Sequence, residues 1–333
     1  WLIPYLFGAS PALCKNYLAI EDRGRLQDWD ENTAYLPWAT SLRMSDIGYR
    51  SFAQEGLEVS FDSLDEYVRD ILEATKTKDP AFSKIGIKDE EGRFIQISDG
   101  ILQIENEFYC PIRPKRISKS QSRPALALAK EGVEYLEVRS LDIDPFEPTG
   151  VGRDQLLFIE GLLIHCLLQD SPPLDKRDRQ EMKENSSKVI YQGRQDSLHL
   201  QRRGQCLELK DWAGEVFTSM AALCRVLDEF CPYAGHRQGL ERQREKLHHP
   251  QLTPSALVLS QMKKRGHSFF HTAMRQTVDF ERFFKKRKIN LQRLRQLETR
   301  AAKSLAEVEA MERNSSKSLS QYIEDYFSKS LQE

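Results

Sequence analysis

The six cysteines of this 333-residue sequence (Cys14, Cys110, Cys166, Cys206, Cys224 and Cys231) include no closely spaced pair. That spacing fits reduced thiols in a cytoplasmic protein better than a disulfide framework, and it matches no zinc motif. Neither sign of charge prevails, with 49 Lys+Arg against 50 Asp+Glu. No global basic excess draws in nucleic acid or an anionic membrane, so any polyanion contact must be local. Long hydrophobic runs are missing too. The longest, residues 156–168, covers about 13 positions, short of the roughly 20 needed to span a bilayer, and reads as a buried helix. The start, Trp1-Leu-Ile-Pro-Tyr-Leu-Phe7, lacks the basic residues of a signal peptide. It also lacks an initiator methionine, so the chain is read as beginning partway through a longer product.

Several familiar sites are absent as well. No run ends in Gly-Lys-Ser/Thr, and Gly150-Val-Gly152 continues as Arg-Asp-Gln, so neither a P-loop nor a dinucleotide fingerprint is present. Gly8-Ala-Ser-Pro-Ala12 lacks the second glycine of a nucleophile elbow, which argues against Ser10 as a nucleophile. The seven histidines show no metal-ligand spacing with acids or cysteines.

Short strand-like runs dominate residues 1–150, and residues 151–333 are mainly helical in pattern. Ser63 followed three positions later by Glu66 is a capping box opening a helix with Leu64, Tyr67, Val68, Ile71 and Leu72 on one face. Residues 84–97 read as a hairpin turning at Gly92. Residues 176–184 read as a charged, exposed helix, and Asn185-Ser-Ser is a glycosylation sequon in name only. Beyond Asp211, Val216, Met220, Leu223, Val226 and Leu227 form one helical stripe, and residues 252–262 form another. Residues 280–300 are basic and 301–312 acidic, the ordinary look of a solvated face.

Two stretches carry chemistry. In residues 132–146, strand alternation puts Tyr135, Glu137 and Arg139 on one face, leaving Leu136, Val138 and Leu141 to pack. Residues 101–109 read as a second strand with Gln103, Glu105, Glu107 and Tyr109 alternating with Ile104 and Phe108. Carboxylates roughly 7 Å apart repel, and a third from another strand is tolerated mainly with a cation between them, which points to a divalent metal. A plain surface ion pair is the competing reading of Glu137 and Arg139.

Four segments remain: Pro4-Tyr-Leu-Phe-Gly-Ala-Ser-Pro-Ala12, Leu36-Pro-Trp-Ala-Thr-Ser-Leu-Arg-Met-Ser-Asp-Ile-Gly-Tyr49, Gln103-Ile-Glu-Asn-Glu-Phe-Tyr-Cys-Pro-Ile-Arg-Pro-Lys-Arg116, and residues 132–146. Taken together they resemble bacterial glutamate-cysteine ligase. The likeness covers roughly residues 1–150. It implies an α+β fold related to glutamine synthetase, with an antiparallel sheet forming a funnel for ATP and metal and a helical region, 151–333, packed on it. It also implies the reaction: ATP phosphorylates the γ-carboxylate of glutamate, and the cysteine amine displaces phosphate in the first step of glutathione biosynthesis.

Phosphoryl transfer to a carboxylate brings two anions together and needs fixed cations to hold the developing charge. The resemblance gives Glu137 as a metal ligand, for Mg2+ or Mn2+, and Arg139 as the phosphate-facing catalytic cation. Arg43 is assigned to hold a substrate carboxylate bidentately, or else to pair with Asp46 as a turn lock. Tyr49 and Tyr109 either orient the cysteine substrate or serve as core aromatics with a wet end. Glu105 and Glu107 are read as further metal or nucleotide contacts. Arg113, Lys115 and Arg116 either meet ATP phosphates or coat a loop.

Family members carry further acidic strands in an N-terminal half. The chain is therefore read as a portion of the enzyme, inactive or nearly so alone, with Trp1 entering from within a sheet and leaving an unpaired strand edge. Two other functions compete: the same ligation with another amine acceptor, and a noncatalytic module binding a partner through the helices of residues 280–312.

Overall fold

The computed structural model describes residues 1–48, 51–117, 122–314 and 316–329; the side chain of Arg23 also lies outside what it describes. In chain order the elements are α1 (Leu2–Phe7), β1 (Ala12–Cys14), β2 (Gln27–Asp28), β3 (Thr33–Tyr35), α2 (Leu64–Lys76), α3 (Pro80–Ile85), β4 (Ile112–Lys115), α4 (Pro124–Glu131) and β5 (Tyr135–Val138). There follow α5 (Arg153–Leu168), α6 (Lys176–Gln192), β6 (His199–Arg202), β7 (Gln205–Glu208), α7 (Leu209–Phe230), α8 (His236–His248), α9 (Pro254–Arg265), α10 (Phe269–Lys286), α11 (Leu291–Asn314) and α12 (Leu319–Ser328). They fall into two compact units, the first Trp1–Arg50 with Val138–Glu281, the second Ser51–Glu137 with Arg282–Glu333. Residue 150 lies inside the first.

In the first unit Leu6 and Phe7 of α1 meet Phe158 of α5, Phe217 and Met220 of α7 and Leu240 of α8 in one core. Each such side chain contributes about 1.5–3 kcal/mol on burial. The buried stripe of α7 is Ala213, Phe217, Met220 and Cys224, displaced from the stripe read in the sequence, and Val226 is exposed. Trp1 corrects another expectation. It precedes a helix, not a strand, and its ring packs on Trp212 with centroids 4.9 Å apart.

The sheets are small. β1, β3 and β2 form an antiparallel three-stranded sheet, with Ala12 and Gln27 both opposite Tyr35. β6 and β7 pair from His199–Glu208 to Arg202–Gln205, and the two turn residues, Arg203 and Gly204, both take positive φ, 52° and 79°. That is the twist a two-residue hairpin requires. The charged helix of residues 176–184 continues to Gln192. Asn185 within it is buried, and its side chain bonds both main-chain groups of Gln201.

In the second unit α2 and α4 pack through Val68, Ile71, Leu72 and Leu128 around Leu102. Ser63 accepts the Glu66 N–H as anticipated, while the Glu66 carboxylate turns to the Ser60 hydroxyl at 2.6 Å. The hairpin of residues 84–97 is reduced to one bridge, Lys88 to Phe94, because Asp79 and Pro80 start a helix that consumes Lys84 and Ile85. α11 buries no side chain.

The strand anticipated over residues 101–109 does not form. Ile101 and Leu102 donate their N–H groups to Thr77 and Ala74 at the end of α2, and the Gln103 N–H donates to the Glu107 carboxylate at 2.7 Å. Glu105–Glu107 then closes as a 3-10 turn. With its donors taken by a helix end and its own acids, this backbone has no ladder to join.

Candidate functional site

The first unit organises the segments around Ser10, Arg43 and Asp142. Close backbone approach begins at Gly8, where a Cβ would sit 2.4 Å from the Pro4 carbonyl oxygen and 2.6 Å from that of Thr40. Ser10 then bridges Ser41, and Leu42 donates its N–H to the Ser10 carbonyl at 2.7 Å. Thr40 is pinned to the end of α6 by its N–H on Ile190 and its hydroxyl on Val189, both at 2.9 Å. Arg194 clasps the same loop by donating to the carbonyls of Pro37 and Ala39. Burial, opposed in part by Tyr5, lowers the Arg194 guanidinium pKa to about 10.

Into this frame comes Asp142, 4% exposed at its side chain. Its Oδ2 accepts from the Ala9 N–H and the Ser10 hydroxyl, each at 2.8 Å, and its Oδ1 accepts from Arg43 Nε at 2.6 Å. Arg43 Nη2 donates to the carbonyls of Arg139 and Leu141 at 3.0 and 3.1 Å. Ser10 is thus a hydrogen-bond donor to a carboxylate and an acceptor for the Arg43 N–H at 3.2 Å. The turn lock anticipated between Arg43 and Asp46 is not made. Asp46 is engaged by Arg25 and by the Tyr191 hydroxyl. Burial and the neighbouring carboxylate push the Tyr191 hydroxyl up to about 12.

Arg43 and Asp142 border a cavity of about 430 Å³, whose lining includes the apolar Ile143, Phe146 and Phe269 and the polar Gln261, Thr272 and Gln276. That volume lies in the range of small-molecule pockets.

The second unit holds the remaining candidates. Glu105 is buried, and both its carboxylate oxygens are occupied, Oε1 by Arg123 Nε at 2.7 Å and Oε2 by the Tyr326 hydroxyl. This is an internal anchor in place of the metal contact read from the sequence. Glu107 is exposed and caps the Gln103 N–H. The Tyr109 N–H donates to Gln54 Oε1 at 2.9 Å, and Gln54 Nε2 donates to the Glu107 carbonyl at 3.0 Å, so one side chain fixes both sides of the turn. The Tyr109 hydroxyl is shielded from solvent.

Arg113, in β4, is buried and donates Nη2 to the Asn106 carbonyl at 2.9 Å, while its Nε has no hydrogen-bond partner among the described residues. A buried guanidinium donor left open is costly to fold around, and it is a position a ligand can satisfy. Arg116 is engaged by the Gly132 carbonyl at 2.6 Å and by Glu131. Lys115 is half-buried, and its carbonyl accepts from the Glu134 N–H. Glu137 is half-buried on β5, with Leu136 exposed instead of packed. Arg139 lies one residue past that strand's end. Tyr49 lies outside the described residues.

Among the described residues, no three His, Cys, Asp or Glu side chains converge as a metal site. The donor set of the described residues therefore does not fit a complete Mg2+ site. Sequence reasoning missed Asp142, Arg123 and Tyr326. Asp142 had a signal, an acid two residues from Asp144 in an apolar run, but its partners lie about 100 and 130 positions away.

Residues 1–189 match the sequence model of the glutamate-cysteine ligase family. A glutamate-cysteine ligase of Alcanivorax borkumensis is 42% identical over 335 aligned positions, covering 98% of this chain and 63% of the relative. One from a Janthinobacterium strain is 41% identical, covering 98% and 61%. The crystal structure of Francisella tularensis glutamate-cysteine ligase in complex with AMP superposes with a TM-score of 0.90 at 36% identity, covering 98% of this chain and 64% of that one. A bifunctional glutathione synthetase of Pasteurella multocida shares the fold at a TM-score of 0.60 and 18% identity. The chain thus spans about three-fifths of the length of the relatives it matches. No helix among the described residues is long and apolar enough to cross a membrane. By its sequence match over more than half its length, the chain belongs to the glutamate-cysteine ligase family.

Proposed function

We propose that this chain is part of an ATP-dependent ligase that joins the γ-carboxylate of L-glutamate to the amine of L-cysteine in the cytoplasm. The observation that carries the reading is the family match of residues 1–189 together with the close superposition on a ligase solved with AMP. A γ-carboxylate oxygen attacks the γ-phosphorus of ATP, releasing ADP and forming γ-glutamyl phosphate. The cysteine amine then attacks the acyl carbon, loses a proton and expels inorganic phosphate.

Each side chain acts within limits set by its surroundings. Arg139 supplies the cation facing the transferring phosphoryl group, where charge develops on oxygen. Arg43 has committed Nε and both N–H groups of Nη2 to its own chain. It therefore grips a substrate carboxylate through Nη1 alone, not as the two-nitrogen fork anticipated from the sequence. Tyr109 orients the amine substrate, and Tyr49 is assigned the same task. Arg113 offers its open Nε to the nucleotide. Lys115 is a second phosphate contact; Arg116, held by Gly132 and Glu131, orders the loop instead. A divalent cation would neutralise phosphate charge in such a reaction, and Glu137 is the carboxylate assigned to it.

The test compares phosphate release and γ-glutamylcysteine formation by this chain and by the chain joined to the part of the Alcanivorax relative outside the match. Turnover that needs ATP, glutamate and cysteine together supports the reading. A joined chain that folds and turns over with no amine acceptor overturns it.

A further inference from the structure

We infer that Tyr326 of α12 is a positioning residue that fixes the segment carrying Tyr109 and Arg113 through Glu105. The inference rests on the ligase reading only for the ligands that segment binds; the strap itself rests on geometry within the second unit.

The segment is short of regular structure. Among the described residues, 101–111 have no strand to hold them, and the turn at Glu105–Glu107 is a single 3-10 helix. Its one buried acid, Glu105, has a side chain 3% exposed and faces Arg123, also 3% exposed. A buried carboxylate needs both oxygens satisfied, and one guanidinium bond leaves Oε2 unmet. That place is filled by the Tyr326 hydroxyl, 221 positions away in sequence.

The rest of the contact is built to keep α12 there. Arg123 donates Nη1 to the Lys329 carbonyl at 3.3 Å and Nη2 to the Thr75 hydroxyl at 3.2 Å. Its guanidinium also lies 5.3 Å from the Tyr326 ring centre and 5.7 Å from that of Phe327. Thr75 belongs to α2, and Arg123 caps α4. Three helices therefore converge on one carboxylate. Burial, reinforced by the Glu105 carboxylate, raises the Tyr326 pKa well above its ordinary value, so the phenol remains a donor across the neutral range.

Glu105 in turn positions its neighbours toward the C-terminus. The Glu105 carbonyl accepts the Phe108 N–H, and the next residue, Tyr109, is clamped by Gln54. Arg113 reaches back to the Asn106 carbonyl, in the middle of the same turn. Loss of the Tyr326 hydroxyl leaves Glu105 Oε2 buried without a donor. The turn must then open to water, and Tyr109 and Arg113 lose their common support.

The test has two arms. Tyr326→Phe and Glu105→Gln, each in this chain, are compared with the unaltered protein by amide hydrogen exchange. The strap predicts exchange faster by about tenfold at Glu107, Phe108 and Tyr109, the scale of one lost hydrogen bond to a charged group, with α5 unchanged. In the chain joined to the rest of the Alcanivorax relative, the same variants raise KM for the amine acceptor and for ATP several-fold, with kcat and KM for glutamate within about twofold. Tyr326→Trp does not rescue either readout.

Exchange at those amides that stays at the unaltered rate in both variants overturns the strap. So does exchange that quickens equally in α5, with kcat falling and every KM unmoved, since that marks general loss of stability. If the joined chain turns over no amine, the ligase reading falls and the exchange arm alone decides the strap.

Discussion

Asp142 holds Arg43 across 99 positions of sequence by a 2.6 Å bond from Nε to Oδ1. The same carboxylate takes the Ala9 N–H and the Ser10 hydroxyl, so three segments separated in sequence meet on one acid. Asp142→Ala would leave those donors unmet in a largely buried place. The expected loss is about 2 kcal/mol in urea unfolding, below the full value of a buried pair because the Arg43 side chain is 38% exposed. Unchanged unfolding would contradict the anchoring role.

Gly48 supports the same arginine from behind. A Cβ there would lie 2.3 Å from the carbonyl oxygens of both Leu42 and Arg43, closer than atoms can pass without the backbone moving. Gly48→Ala should cost about 2–4 kcal/mol, in the class of substitutions that force backbone shifts. It should also lower affinity for glutamate, which titration of the joined chain can measure.

Arg139 contributes its carbonyl to Arg43, whereas the proposed chemistry uses its guanidinium. Arg139→Ala keeps that carbonyl. We expect phosphate release to fall by about 10²–10³, the usual effect of removing a group that stabilises transition-state charge. An equal rate in the variant would remove Arg139 from the mechanism.

Lys246 gives a pH signature. Its ammonium donates to the Leu6 carbonyl at 3.0 Å and lies 5.0 Å from the Phe7 ring centre. Burial lowers its pKa from 10.5 to about 8, against the pull of Asp144. The unfolded chain then binds more protons between about pH 8 and 10.5, so stability rises with pH through that window. The penalty is fully present below pH 8 and amounts to at most about 3 kcal/mol. In thermal melts from pH 7 to 10.5, the stability of the unaltered protein relative to Lys246→Met should rise through this window; a difference that stays constant would contradict it.

Local signals in the sequence hold where near neighbours decide the outcome. Ser63 and Glu66 announce the start of α2, and the apolar run of residues 156–168 is helical in α5, burying Leu157, Phe158, Ile159 and Leu162 while Leu156, Leu167 and Leu168 stay exposed. The failures lie where a distant residue decides. The alternation of Gln103, Glu105, Glu107 and Tyr109 fits a strand, yet it serves equally a turn in which Glu107 accepts the Gln103 N–H. Nothing near Glu105 reveals that Arg123 and Tyr326 will bury it. Arg43 has an acid three residues ahead, which makes local pairing the natural reading. Asp46 is taken by Arg25 and Tyr191, freeing Arg43 for Asp142.

The central claim is the acyl phosphate, and the fate of a labelled oxygen tests it. Glutamate carrying 18O in its γ-carboxylate is turned over with ATP and cysteine by the chain joined to the rest of the Alcanivorax relative, and the inorganic phosphate is weighed by mass spectrometry. Attack of the carboxylate on the γ-phosphorus predicts one 18O atom in each phosphate released. Phosphate with no label, formed alongside γ-glutamylcysteine, would contradict the account.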